Sequence, residues 1–222
     1  MARITVRQKE IETPTGLARA HVGRPQQARG TLVLGHGAGG GIGSSDLRLL
    51  AEELPGDGWA VVLVEMPWRV AGKKVAPPPA RLDAGWVPIV AALTSGRGRL
   101  PGPLVVGGRS AGARVACRTA SQVGADAVLC LSFPLVPPGK DASATRAPEL
   151  ATPLRAGLPV RVVQGERDPF GTPDDVRAGL AAELGVPLAD LPDIVSAAPG
   201  THAFPTRPTP VLEGTRLLLA GL

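Results

Sequence analysis

Short apolar runs alternate with amphipathic stretches along the chain, and glycine or proline stands at most junctions between them. Thr31-Leu32-Val33-Leu34, Ala60 to Val64, Leu104 to Gly107, Ala127 to Phe133 and Val160 to Gln164 are predominantly apolar, which predicts strands buried on both faces. Ile194 to Ala197 predicts one more short strand. Helical spacing lies between these runs. Leu47, Leu50, Ala51 and Leu54 make an i, i+3, i+4, i+7 face behind Ser44 or Ser45, with Gly56 as the stop. Further helices are expected over 82–94, with Pro88 an awkward member, over 111–122 before Gly124, and over 211–220. The best-signalled helix begins at Thr172: Pro173 fits the first helical position, Asp174 and Asp175 fit the first turn, and Gly185 fits the stop. Residues 67–80 and most of 134–153 are expected as loop, the first because three consecutive prolines oppose a helix. Residues 2–12 and 17–22 predict a hairpin across Thr13-Pro14-Thr15-Gly16.

Apolar strands that alternate with helices imply a doubly wound, mostly parallel α/β sheet, with helices on both faces and an N-terminal antiparallel hairpin. A chain of 222 residues suits a single domain, 1–222, with too little length for a large cap domain. In such folds the chemistry sits just past the carboxyl ends of the strands.

Composition narrows the function. Hydrophobic residues make up 44%, enough for a sizeable core despite 29 Gly and 24 Pro. With 24 Lys+Arg against 19 Asp+Glu, the net charge is +5. Only four of the basic residues are Lys, and the arginines are scattered, with Lys73-Lys74 the one adjacent basic pair. That is the pattern of a solvated surface rather than a nucleic-acid stripe. Three Trp, three Phe and no Tyr also leave little to stack on bases. Cys117 and Cys130 are too few for a disulfide framework or a cysteine zinc site, and read as small core residues. The start has no apolar signal region, and no run of 18 apolar residues occurs, so a cytoplasmic protein with no membrane span is expected.

The segment Gly107-Gly108-Arg109-Ser110-Ala111-Gly112 contains G-x-S-x-G between a strand and a helix. A serine on so sharp a turn projects its Oγ above the sheet, and the flanking positions must be small. A serine hydroxyl needs a base, and the base needs an acid to orient it. Of His21, His36 and His202, only His202 comes late enough for the order Ser, Asp, His. The expected acid is Asp168, after the strand Val160 to Gln164, with Glu166, Asp174 and Asp175 as competitors. Oxyanion donors are expected from the N–H of Ala111 and from the loop His36-Gly37-Ala38-Gly39, with Ala38 preferred over Gly37 and Gly39. His36 is expected to be structural. The glycine run lacks the phosphate-binding patterns, and neither a cofactor nor a metal is expected. Arg109 is a candidate to bind a substrate carboxylate, with pairing to an acid on the sheet edge as the alternative. Trp68, in the loop Trp68-Arg69…Lys73-Lys74, is a candidate pocket wall, because that loop is expected to follow the strand next to the nucleophile strand. If Arg109 and this loop both face the pocket, an anionic substrate follows.

Gly35-His36-Gly37-Ala38-Gly39, the Gly107–Gly112 segment and Leu131-Ser132-Phe133-Pro134-Leu135-Val136-Pro137-Pro138-Gly139-Lys140 together resemble the small α/β-hydrolase family of the testis-expressed and NSL-complex-subunit type, related to dienelactone hydrolases. The resemblance covers residues from about 30 to about 205. It implies a lidless α/β-hydrolase core with Ser110, Asp168 and His202 as triad, and it implies no particular substrate. Relatives tend to carry a Gly-Asp-His-type approach to the histidine, where this chain has Thr201 before His202. The expectation is a serine hydrolase of the esterase or dienelactone-hydrolase kind acting on a small ester-type molecule. The alternative is a binding or scaffold protein with vestigial catalysis, since some relatives serve in complexes.

Overall fold

A computed structural model describes residues 5–222, so residues 2–4 of the expected hairpin lie outside the described residues. The hairpin forms from β1 (Thr5–Thr13) and β2 (Gly16–Arg24). The remaining strands are β3 (Gly30–Gly35), β4 (Trp59–Glu65), β5 (Leu104–Arg109), β6 (Ala127–Leu131), β7 (Val160–Gly165) and β8 (Val195–Ala198). They form one eight-stranded sheet in the order β1-β2-β4-β3-β5-β6-β7-β8. From β4 to β8 all pairings are parallel, and the hairpin joins antiparallel through β2 and β4.

The order places β3 between β4 and β5. The loop after β4 is therefore two strands from the nucleophile strand, a correction to the expected adjacency. It also puts the change of winding direction between β3 and β5, where open α/β sheets leave a crevice. The loops carrying Gly37 and Ser110 flank that crevice.

Among the described residues seven α-helices connect or follow these strands: α1 (Ser45–Glu53), α2 (Pro67–Val70), α3 (Pro79–Thr94), α4 (Ala111–Thr119), α5 (Ala147–Arg155), α6 (Pro173–Leu184) and α7 (Thr209–Leu219). Alternate residues of one strand feed opposite cores, as the pleat requires. Leu32 and Leu34 pack with Leu47, Leu50, Val211 and Leu212 of α1 and α7. Val33 packs with Trp86, Ala116, Leu150 and Leu180 of α3 to α6. On that second face Arg118 of α4 grips Asp83 of α3 and Glu149 of α5, which ties three helices together. No helical cap is inserted over the carboxyl edge of the sheet among the described residues, and no helix there is long and apolar enough to cross a membrane.

Several boundaries differ from expectation for identifiable reasons. Pro79 does not block α3 but begins it, because the first helical residue has no N–H to contribute. Pro67 likewise opens the single turn α2 inside the expected loop. Helix α5 lies within the other expected loop. It carries Ala147, Leu150, Ala151 and Leu154 on one face, but Pro148 and Pro153 mask that period. α1 passes into a 3-10 turn and stops at Gly58, not Gly56, because Gly58 is the residue with left-handed φ of 85°. Strand β6 ends at Leu131, where Ser132 takes a φ of 46°. α6 matches its expected start and stop, with a capping box between Thr172 and Asp175.

Candidate active site

Ser110 sits at the turn from β5 to α4 with φ 54° and ψ −108°, a conformation that non-glycine residues rarely adopt. The surrounding structure holds it there. Its N–H donates to the Leu131 carbonyl at 2.9 Å, and the turn packs directly on the end of β3. A Cβ on Gly112 would lie 3.0 Å from the Cα of Gly35 and closer still to its carbonyl. The two glycines of the motif, Gly108 and Gly112, thus let the elbow approach β3.

The histidine and the acid reach Ser110 from the far end of the sheet. His202 Nε2 lies 2.9 Å from Ser110 Oγ. His202 Nδ1 lies 2.9 Å from Asp168 Oδ2 and 3.1 Å from Oδ1. With Nδ1–H donating to the carboxylate, Nε2 presents its lone pair to the serine hydroxyl. Asp168 is buried, and its carboxylate also accepts from the Phe170 N–H at 2.9 Å and from Gln164 Nε2 at 3.0 Å. The competitors are elsewhere: Glu166 is exposed, and Asp175 is engaged in the Thr172 capping box.

Gln164 and Phe170 belong to the site without having been expected there. The Gln164 amide is fully buried: its Oε1 accepts the Phe133 N–H, and its two N–H bonds are shared among the Phe133 carbonyl, the Gly171 carbonyl and Asp168. It therefore fixes the Asp168 carboxylate against the ends of β6 and β7. The sequence signal was a neutral amide closing an otherwise mostly apolar strand, four residues before the acid. The Phe170 ring lies 4.2 Å from the His202 ring, centroid to centroid, and supports one face of the imidazole.

The loop after β3 lies against the elbow. A Cβ on Gly37 would come within 3.5 Å of Ser110 Cβ. Ala111 is the first residue of α4, so its N–H has no acceptor within the helix. Among the described residues the N–H of Ala38 bonds to no protein acceptor. His36 holds this loop in place: Nδ1–H donates to the Gly37 carbonyl at 2.9 Å, and Nε2 accepts the Met66 N–H at 3.2 Å. Burial lowers the His36 pKa below its usual 6.5, outweighing the opposite pull of the Gly37 bond. The native ring thus refuses a proton that the unfolded chain accepts, so its contribution to stability is complete above about pH 6.5 and is lost as pH falls below it. The expected result is a steeper drop in urea midpoint from pH 7 to pH 5 for the wild type than for His36→Asn. Equal slopes would contradict this.

Trp68 does not open onto solvent. It is 6% exposed, and its ring lies 5.0 Å from that of His36. With His36, Met66, Leu82, Trp86 and Ala111 it lines a small apolar cavity behind the elbow. Arg109 is already engaged. Its guanidinium pairs with Asp46, on helix α1, and donates to the His202 carbonyl. Arg69 is the cation left beside the loop after β3. It makes no ion pair among the described residues, and a Cβ on Gly41 would lie 3.8 Å from its Nε. Cys117 and Cys130 are buried neighbours in the core, with Sγ atoms 3.4 Å apart. No cluster of three or more potential metal-ligating His, Cys, Asp or Glu side chains occurs among the described residues.

Known proteins share this architecture. An α/β-serine-hydrolase homologue from Coxiella burnetii superposes with a TM-score of 0.73 at 17% identity, over 100% of both chains. A serine hydrolase without lid from Xanthomonas campestris gives 0.66 at 16%, over 100% of this chain and 95% of that one. Dienelactone hydrolase from Anabaena variabilis gives 0.66 at 15%, over 98% and 95%. Among curated proteins, no sequence match is found. The profile of the family described as "Alpha/beta hydrolase domain" matches residues 28–207, which runs from just before β3 to the loop that follows His202. That span takes in both glycine loops and all three residues of the Ser110–His202–Asp168 chain, and on it the protein belongs to the α/β-hydrolase domain family.

Proposed function

We propose that the protein is a serine hydrolase that transfers an acyl group from a small ester-type substrate to water, through Ser110, His202 and Asp168. The observation that carries this reading is the unbroken polar chain from the buried Asp168 carboxylate through His202 to a serine held at positive φ. In this reading Ser110 Oγ attacks the ester carbonyl while His202 Nε2 takes its proton. The tetrahedral oxygen anion is held by the N–H groups of Ala111 and Ala38, the former at the positive end of α4. His202 then gives the proton to the departing alkoxide, leaving an acyl-serine. Water, deprotonated by the same imidazole, releases the acid.

The absence of a cap among the described elements favours a small or accessible substrate. With Arg109 committed to Asp46, a preference for an anionic substrate would rest on Arg69 beside the Gly39–Gly43 loop. The narrower kinship with the NSL-complex-subunit type rests on the Leu131–Lys140 segment. The function is tested with p-nitrophenyl acetate and with a matched pair of esters, one bearing a free carboxylate and one methyl-capped. Turnover above the spontaneous rate, abolished by prior fluorophosphonate treatment, is expected. Arg69→Ala is expected to raise KM several-fold for the carboxylate ester alone. No turnover of any ester by folded protein would overturn the reading and favour a binding or scaffold role.

A further inference from the structure

The polar contacts of Arg109 are not used in the chemistry above, yet they join the first turn of α1, the loop after β3 and the loop that carries His202. The Arg109 side chain is 14% exposed, and its Nε lies 3.2 Å from Oδ2 of Asp46, whose side chain is 1% exposed. A terminal nitrogen, Nη2, donates to the main-chain carbonyl of His202. The other, Nη1, lies against the loop after β3, where a Cβ on Gly37 would be 3.2 Å away. Asp46 is the second residue of α1, and its Oδ1 accepts the Leu47 N–H at 2.9 Å. Its Oδ2 meets Arg109 without a well-directed hydrogen bond, so the link is chiefly ionic. Next to it, Ser45 Oγ donates to the Phe204 carbonyl at 3.0 Å. The first turn of α1 thus reaches the histidine loop twice, once directly and once through Arg109.

That loop needs support. Between β8 and α7 the chain forms no helix or strand, and Thr201 and Ala203 on either side of His202 are exposed. A catalytic imidazole must be held to within about 0.5 Å of its working position. A buried ion pair is a poor way to gain stability, because desolvating both charges offsets their attraction. A forked donor with fixed geometry is a good way to set a position. From this we propose that Arg109, braced by Asp46, is a positioning residue: it holds the His202 carbonyl so that the imidazole stands between Asp168 and Ser110. The proposal rests on the reading of Ser110, His202 and Asp168 as a catalytic set.

The test compares the wild type with Arg109→Lys and with the paired variant Arg109→Met/Asp46→Asn, which leaves no uncompensated buried charge. Three readouts are taken: kcat and KM on p-nitrophenyl acetate, the rate of fluorophosphonate attachment to Ser110, and the far-downfield proton resonance of the His202–Asp168 hydrogen bond. The paired variant is expected to melt cooperatively and to lose roughly 10- to 100-fold in kcat and in labelling rate, with KM within about twofold. Its downfield resonance should broaden or vanish. Arg109→Lys should recover part of the rate, since it keeps the charge beside Asp46 but lacks the fork. A folded paired variant with wild-type kcat, labelling rate and resonance would overturn the proposal. Should the paired variant fail to fold, Arg109→Lys decides: wild-type values for all three readouts would overturn the proposal. Should wild-type Ser110 take no label, the hydrolase reading fails by itself. The resonance then decides the positioning role, since its survival in the variants would overturn it.

Discussion

Asp168→Asn is expected to lower kcat by about 10³- to 10⁴-fold, the magnitude seen for this substitution in serine-protease triads, while the protein still folds. The native carboxylate faces donors on every side: His202 Nδ1–H, the Gln164 amide and the Phe170 N–H. An asparagine fills the same volume but must turn an NH₂ group toward one of them. The Phe170 N–H donates to Oδ1, whereas Gln164 and His202 Nδ1 meet at Oδ2, so an amide oxygen kept on the main-chain N–H puts the NH₂ group at the Oδ2 position. The NH₂ group then faces His202, and Nδ1 can meet it only as an acceptor. The ring is thereby forced into the other tautomer, with Nε2–H pointing at Ser110 Oγ, so the base can no longer take the serine proton. A 10⁴-fold loss corresponds to about 5 kcal/mol of transition-state stabilisation. Because the fault is a tautomer and not a hole, KM and the urea midpoint should move far less. Glu166→Gln, two residues away and exposed, should leave kcat unchanged. An Asp168→Asn enzyme within tenfold of the wild type would remove Asp168 from the proposed mechanism.

The second large effect is on stability. Gly112→Ala is expected to cost on the order of 3 kcal/mol, from overpacking together with forced backbone shift. Helix propensity alone gives the opposite sign, since alanine gains up to about 1 kcal/mol over glycine within a helix. What decides is that the added Cβ itself meets backbone, the Cα and carbonyl of Gly35, not the yielding tip of a side chain. Neither partner can move freely: β3 is bonded to β4 and β5 on its two sides, and the elbow is pinned through Ser110 N–H to Leu131. At about 2–4 °C per kcal/mol for a chain of this size, the melting temperature should fall by roughly 10 °C. Gly56→Ala, whose Cβ would meet nothing within 4 Å, is the matched control and should stay within about 0.5 kcal/mol. A Gly112→Ala protein as stable as the wild type would mean that the elbow does not sit against β3 as described.

These two sites show what a sequence discloses and what it hides. G-x-S-x-G, the late histidine and the strand-end aspartate are legible because the covalent order of an α/β fold already puts their loops on one edge of the sheet. The α6 boundaries were legible because Thr172, Pro173 and Gly185 satisfy helix ends locally. Helix α5 was hidden by Pro148 and Pro153, which are tolerated near the two ends of a nine-residue helix but read as breakers in a string of letters. Arg109 stood beside the nucleophile and invited a substrate role. Its real partners, Asp46 and the His202 carbonyl, come from distant parts of the chain, and nothing local announces them. Gln164 was hidden in part in the same way, since its two bonds to the main chain of Phe133 cross from β7 to the end of β6. The residues of the proposed triad are marked by motifs, whereas the contacts that hold them in place became visible only in the tertiary structure.

An activated Ser110 nucleophile reveals itself by covalent labelling. Folded wild-type protein is incubated with a fluorophosphonate at neutral pH, digested, and the modified residue located by mass spectrometry. A single adduct, on Ser110, is expected. An unmodified Ser110 under conditions that label a known serine hydrolase, or an adduct placed on another residue, would contradict it.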